Sequence, residues 1–360
     1  MKNVILVMLR TNPHDHSRYM IRFNELKELT KSLEYKIKEE VMQTKLKPKS
    51  NYLIGDGKVK EIKEMVEHLN IDKIIFYNIL TSKQKYNLSK TTNCETIDRY
   101  DLILEIFDRT SRDKLSKLQI EKARLNKDLP LVKITASNRL KSEHPGARGR
   151  GEYSYKSKIR GIQSKITKID EEIEKYKQLK EVWLENRKKL SMPIICLTGN
   201  YNAGKTSLFN LLTDSNKPVS DSPFTTLSSK YQKLTNKDML FIDTIGFVID
   251  IDPKLIHSFE LNLFDIINAD IILFLIDISD EFEIMKAKFL SGINVLLDLE
   301  IDHRKVIIVF NKMDLVKNEK IQKKIEELIQ FFPYKFPHVI ISAENSENIE
   351  SLFIEIENLL

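Results

Sequence analysis

Eight consecutive residues, Gly199-Asn200-Tyr201-Asn202-Ala203-Gly204-Lys205-Thr206, sit between an apolar run and a helix-forming one. Glycines at the first and sixth positions let backbone N–H groups wrap phosphate oxygens with no Cβ in the way. The helix that follows, Thr206–Leu212, points its positive end at the same oxygens. Lys205 reaches toward the outer phosphates, the Thr206 hydroxyl can ligate Mg²⁺, and Ser207 lies beside them on the helix. A second apolar run ends in Asp243-Thr244-Ile245-Gly246. A carboxylate there can hold Mg²⁺ through water, and Gly246 can give its N–H to a terminal phosphate. A third run ends in Asn311-Lys312-Met313-Asp314. The Asp314 carboxylate can accept from both N–H groups on the Watson–Crick edge of guanine. Adenine would oppose it with a lone pair. Asn311 can tie this loop to the phosphate loop, and the Lys312 stem can lie over the base. Ser342-Ala343-Glu344 ends the next run, with backbone N–H groups available to the guanine carbonyl.

Phe224-Thr225-Thr226 falls in the loop between the phosphate-loop helix and the Asp243 strand. A threonine here, Thr226 in preference to Thr225, can close on Mg²⁺ and the terminal phosphate and so respond to GTP. The set implies GTP and GDP as substrate and product, with Mg²⁺ as cofactor. Lys205, Thr226 and Gly246 face the reacting phosphate. Thr206, Thr226 and, through water, Asp243 serve the metal. Phe247 follows Gly246, where fast GTPases often place a glutamine to orient the attacking water. Phenylalanine cannot hydrogen-bond water, so unaided hydrolysis is expected to be slow.

These residues need elements to hold them. Residues 193–198, 239–243, 271–276, 306–310 and 338–341 are short, almost wholly apolar segments. They read as strands buried on both faces of a doubly wound, mostly parallel sheet spanning residues 191–360. Residues 1–112 read as a smaller α/β unit. Its expected strands are 4–9, 51–54 and 73–77, its expected helices 22–32, 58–69 and 82–89, and 94–98 and 102–107 are further apolar segments. Between them, residues 113–190 read as a helical hairpin. Leu115, Leu118, Leu125 and Leu129 share one face, and Pro130 is expected to break or kink that helix. A glycine-rich turn is expected at 145–152. After it, Ile159, Ile162, Ile166, Ile169, Ile173 and Tyr176 repeat as a heptad seam on a helix running to about position 189.

With 360 residues, 41% of them hydrophobic and 31% charged, the chain is expected to form two or three packed domains rather than a disordered polymer. Positions 139–189 hold 15 Lys/Arg against 8 Asp/Glu, slightly more excess than the whole chain's +6. The basic character is therefore local. It suits either a solvated lysine-rich helix or a polyanion-binding surface. Two cysteines outside any metal-ligand spacing point to a reduced, cytoplasmic setting. The start of the chain lacks the long apolar core of a signal peptide, and no run is long enough for a membrane span.

The ordered motifs resemble those of translation-factor-related GTPases, and upstream residues narrow the resemblance to the HflX family. Ile54-Gly55-Asp56-Gly57-Lys58-Val59-Lys60-Glu61-Ile62 is similar to that family's early G-x-G-K segment. The stretch from Ile97-Asp98-Arg99 through Leu102-Ile103-Leu104 to Ile106-Phe107 is its most diagnostic match. Leu118-Gln119-Ile120-Glu121, Gly149-Arg150-Gly151-Glu152 and Phe247 also fit, and the resemblance covers about residues 50–360. The segment after Glu152, Tyr153-Ser154-Tyr155-Lys156-Ser157-Lys158, departs from the family's usual threonine and acidic residues. The chain stops at Leu360, so the resemblance is to a short form without the extra C-terminal domain of many bacterial members.

The resemblance implies Mg²⁺-dependent GTP hydrolysis and binding to the large ribosomal subunit through the N-terminal region; separately, the chain is expected to be a monomer. Arg148, Arg150, Tyr153, Tyr155, Lys156 and Lys158 are the candidate RNA contacts. Two other readings remain open at this stage. One is a GTP/GDP regulatory switch that signals to a protein partner with little hydrolysis. The other gives the N-terminal domain an ATP- or RNA-dependent activity of its own.

Overall fold

The computed structural model describes the chain except residues 143–147, 190–191, 216–228, 235–237 and 332–334, and the side chains of 136–142, 148–154, 188 and 318–320. Packing groups it into two compact units: Met1–Arg109 with Lys117–Tyr176, and Thr110–Ser116 with Lys177–Leu360.

The first unit opens on β1 (Asn3–Arg10), whose residues 4–9 are all buried. This is the pattern of a strand covered on both faces. Then come α1 (His16–Ser32), β2 (Lys36–Thr44), α2 (Asp56–Leu69), β3 (Lys73–Phe76), α3 (Ser82–Thr92), β4 (Glu95–Asp98) and α4 (Arg99–Thr110). Among the described residues the strands pair in parallel in the order β2-β1-β3-β4. α1 seats Tyr19, Phe23, Leu26 and Leu29 at helical spacing. α3 begins at a capping box between Thr81 and Gln84.

The expected strand at 51–54 is instead a turn with a single Lys49–Leu53 bridge. Leu53 has φ +68°, which a strand does not accommodate. The turn still buries Leu53 and Ile54 in the core of the unit. The strand actually present is β2, a charged edge. Residues 102–107 lie in α4.

Two long helices follow, α5 (Lys114–Ser142) and α6 (Arg148–Lys189). α5 runs through Pro130 rather than ending there. The ring removes one i→i−4 bond, a loss this helix bears while ion pairs Lys122–Asp170 and Lys165–Glu121 hold it antiparallel to α6. Residues 148–152, expected in a turn, are already helical. The seam is seen as expected: Ile159, Ile162, Ile166, Ile173 and Tyr176 are half-buried and Ile169 is buried.

The second unit alternates β5 (Ile194–Gly199), α7 (Lys205–Thr213), β6 (Lys230–Lys233), β7 (Leu240–Asp243), α8 (Pro253–Ser258), α9 (Glu260–Ile267), β8 (Ile271–Asp277), α10 (Phe282–Asp298), β9 (Val306–Asn311), α11 (Asn318–Ile329), β10 (His338–Ile340) and α12 (Ile349–Leu359). The order is β10-β9-β8-β5-β7-β6, parallel except for the antiparallel edge pair β6–β7. Residues of β5, β8 and β9, with α7 and α12, share one hydrophobic core. The β5–β7 and β5–β8 pairings lie on opposite sides of β5, so the chain reverses its winding there. Such a switch point opens a crevice at the carboxyl ends of the strands.

Candidate functional site

Each motif leaves the sheet at a carboxyl end around that crevice. β5 ends at Gly199, whose φ is +132°; a Cβ there would stand 2.3 Å from the Leu275 carbonyl oxygen. Only glycine lets the loop leave at this point. Gly204 has φ +88°, and a Cβ on it would lie 2.1 Å from Asn311 Nδ2. The loop Asn200–Gly204 therefore turns tightly between β5 and α7, with Asn202 also at positive φ.

Five hydrogen bonds join the loops. Asn311 Nδ2 donates to the Ala203 carbonyl at 2.9 Å, while its Oδ1 accepts from the Ala343 N–H at 2.9 Å. One buried side chain thus holds the phosphate loop, its own loop and the 342–344 loop together. Thr206 Oγ1 donates to Asp243 Oδ2 at 3.1 Å, which links the start of α7 to the end of β7. The Phe247 N–H donates to the Gly199 carbonyl at 2.9 Å, and the Tyr201 N–H donates to the Phe247 carbonyl at 3.0 Å.

Lys205 is buried, and its Nζ donates to the carbonyls of Gly199 (3.1 Å) and Asn200 (2.7 Å). Burial pulls its pKa down to about 8, with Lys288 adding repulsion and the Asp243 carboxylate opposing the shift. A Cβ on Gly246 would come within 2.9 Å of this ammonium, so Gly246 and Lys205 lie against each other. Thr244 turns inward, its hydroxyl donating to the Leu197 carbonyl at 2.7 Å, and Ile245 is buried. The Phe247 side chain is fully buried and takes part in the core.

Asp314 is exposed. Its Oδ1 accepts from the Ser342 hydroxyl at 2.6 Å, and the Ser342 hydroxyl accepts from the Asn345 N–H at 3.1 Å. The sequence suggested only backbone N–H groups for 342–344. The structure adds the Ser342 hydroxyl as a support for Asp314 and commits the Ala343 N–H to Asn311. Glu344 is exposed. Lys312 has φ +69°, and its ammonium pairs with Asp277 Oδ2 at 2.6 Å. Asp277 was not singled out from the sequence, though like Asp243 it is a carboxylate ending an apolar strand.

Phe224, Thr225 and Thr226 lie outside the described residues. Of the six candidate RNA contacts, Arg148, Arg150 and Tyr153 fall on α6 with side chains outside the description. Tyr155, Lys156 and Lys158 stand farther along the same helix, Lys156 and Lys158 exposed and Lys158 Nζ 5.7 Å from the Tyr155 ring centre.

Comparison with known proteins places the chain among relatives. Residues 21–108 match the family described as GTP-binding GTPase N-terminal, 111–187 the GTP-binding GTPase Middle Region, and 194–312 the 50S ribosome-binding GTPase. The GTPase HflX of Thermococcus kodakarensis is 35% identical over 303 residues, covering 84% of this chain and 68% of that one. The GTPase HflX of Methanocaldococcus jannaschii is 34% identical over 340 residues, covering 93% and 83%. The crystal structure of the SsGBP and GDP complex matches with a TM-score of 0.54 at 24% identity, covering 100% of this chain and 98% of that one, and so shares its fold.

Proposed function

The chain belongs to the HflX family of GTPases, a GTP-binding and GTP-hydrolysing enzyme by that membership, and we propose that it is a Mg²⁺-dependent, nucleotide-driven switch on the large ribosomal subunit. The observation that carries the reading is the meeting of three loops at one crevice, tied by Asn311–Ala203, Thr206–Asp243 and Phe247–Gly199. Gly199–Ser207 surround the phosphates, Lys205 and Gly246 face the terminal one, and Asp314, Asn311, Lys312 and the 342–344 loop take the guanine. Discrimination against adenine rests on the Asp314 carboxylate.

Thr206 Oγ1 and Asp243 Oδ2 are hard oxygen donors, the kind Mg²⁺ takes; phosphate oxygens and water would complete its shell, and Thr226 is the further candidate. When bound, the ion neutralises charge on the phosphates. Lys205 then exchanges its two loop carbonyls for phosphate oxygens. Phe247 is buried in the core, so no side chain from that position orients the attacking water. This favours a slow enzyme that a partner completes.

The ribosome is the partner proposed. The match of residues 194–312 to a family described as 50S ribosome-binding supports it, as does the local basic excess on α6. Both cysteines are free and buried, in keeping with a cytoplasmic setting. Among the described residues no helix is long and apolar enough to cross a membrane. A nucleotide site in the first unit is not favoured: the Gly55 N–H is bound to Gln43 at 2.7 Å, and Lys58 pairs with Glu61.

GTP turnover with and without large subunits tests the proposal. The expected result is faster turnover with them, and sedimentation of the chain with large subunits in a non-hydrolysable GTP analogue but not in GDP. Unchanged rate and affinity would leave the alternative of a partner-signalling switch and remove the ribosome.

A further inference from the structure

β8 and β9 lie side by side with Asp277 in register with Asn311, and the Ile278 N–H donates to the Asn311 carbonyl at 3.0 Å. The last residue of β8 therefore stands directly beside the loop assigned to the base. Asp277 is 6% exposed. One of its oxygens accepts from the Ser279 N–H at 2.9 Å and the Ser279 hydroxyl at 2.5 Å. The other accepts the Lys312 ammonium at 2.6 Å. Its neighbour Asp280 pairs with Lys288 at 2.6 Å, and Lys324 Nζ donates to the carbonyls of Ile278 (2.9 Å) and Asp280 (2.7 Å). The turn after β8 is thus fixed at several points, and Asp277 offers Lys312 a pre-set anchor.

Lys312 needs one. A lysine side chain has four rotatable carbons and loses much freedom when held. Its backbone is in the left-handed region, which disfavours side-chain residues. A stem free to swing makes a poor wall for a planar base. With the ammonium pinned, the methylenes are held in one place before any ligand arrives.

We propose that Asp277 is a positioning residue of the guanine site: it pins the Lys312 ammonium so that the lysine stem forms a pre-organised wall over the base. The proposal rests on the guanine-site reading above and deepens it. Asp277 does not read the identity of the base, which remains with Asp314. It slows escape of the bound nucleotide, since preorganised contacts act mainly on dissociation.

The test measures dissociation of fluorescent GDP from wild type, Asp277→Asn, Lys312→Met and the double variant. Lys312→Met keeps the stem, removes the ammonium and alters a half-exposed residue that the core does not need. Each single change is expected to speed dissociation by about tenfold, the scale of one charged hydrogen bond. The double variant should be no faster than either single one, because both break the same pair. The preference for guanine over adenine nucleotides should be unchanged in all of them. Singles that dissociate like wild type, or a double variant whose effects multiply, overturn the proposal while leaving the guanine site standing. A wild type that holds no guanine nucleotide overturns the site reading itself, and the proposal with it.

Discussion

Lys205 is a buried cation whose partners in this structure are two carbonyls of its own loop, and burial holds its pKa near 8. Two consequences have opposite signs. In the folded chain the amine is neutral above about pH 8, whereas in the unfolded chain it keeps its proton to near its ordinary value of 10.5. Between those values the unfolded state binds more protons, so the contribution of Lys205 to stability rises with pH across that window. Nucleotide binding runs the other way, because phosphate favours the charged amine. GDP affinity should fall as pH rises past about 8, by up to about tenfold per unit, with uptake of a proton on binding. Calorimetry at pH 8.5 in buffers of different ionisation enthalpy reads this uptake; heats independent of the buffer would contradict it. Asp314→Ala should cost at least about a hundredfold in preference for GDP over ADP with the fold intact, since the adenine mismatch disappears. Equal discrimination in that variant would move base choice elsewhere. These residues were legible in the sequence as candidates because the proposed phosphate and guanine recognition asks for particular side chains at fixed spacing. Asp277 and the Ser342 hydroxyl were not, because their roles arise from strands adjacent in space and 28 or more residues apart in the chain.

At the scale of elements, the buried Asp265 of α9 gathers three side chains, from α6, from β6 and from the residue before β6. Its Oδ2 accepts from Ser229 at 2.6 Å, from Tyr231 of β6 at 2.8 Å and from Lys180 of α6 at 3.1 Å. Burial and the carboxylate push the Tyr231 hydroxyl well above its usual pKa, so it stays a donor. Trp183, the chain's single tryptophan, meets the Tyr231 ring edge-on at 5.4 Å, and Arg187 lies over Trp183. Asp265→Ala would remove the shared acceptor of two hydroxyls and the counter-ion of Lys180, which keeps the Leu261 carbonyl at 2.9 Å, and is expected to cost about 3 kcal/mol. Chemical denaturation followed by Trp183 emission measures both the loss and the loosening of α6 from β6. A midpoint equal to wild type would show that the pair is dispensable. The same strand explains where the sequence failed. β6 and β2 are edge strands carrying Lys230, Lys233, Lys36, Lys38, Glu39 and Glu40. Charge on an edge blocks pairing with other chains and also erases the apolar pattern by which strands are recognised. The central strands are legible for the opposite reason: buried on both faces, they tolerate almost nothing polar before their last residue. Pro130 and the glycines at 149 and 151 were read from local propensity, but α5 continues through Pro130 and α6 already includes both glycines, so there propensity did not set the helix boundaries.

For the molecule as a whole, charge is concentrated rather than spread. Positions 139–189 carry an excess of seven cations, and the rest of the chain sums to about −1. A protein whose basic residues merely aid solubility has no need to collect them on one hairpin. One that docks on a polyanion does, because each phosphate neutralised releases a counterion and makes binding steeply dependent on salt. Lys156 and Lys158 stand exposed on α6, two residues apart, beside Tyr155. If they contact ribosomal RNA, Lys156→Glu with Lys158→Glu should weaken binding of the GTP-analogue form to large subunits. It should also reduce the slope of log affinity against log salt by roughly 1.5–2, the share of two phosphate contacts. Unstimulated GTP hydrolysis and GDP affinity should stay at wild-type values, since neither lysine lies at the nucleotide loops. Sedimentation across a salt series, with the variant and wild type side by side, distinguishes this from a general loss of fold. An unchanged slope would mean that these lysines form only a solvated helix face, and the large subunit would then have to be met through a different surface.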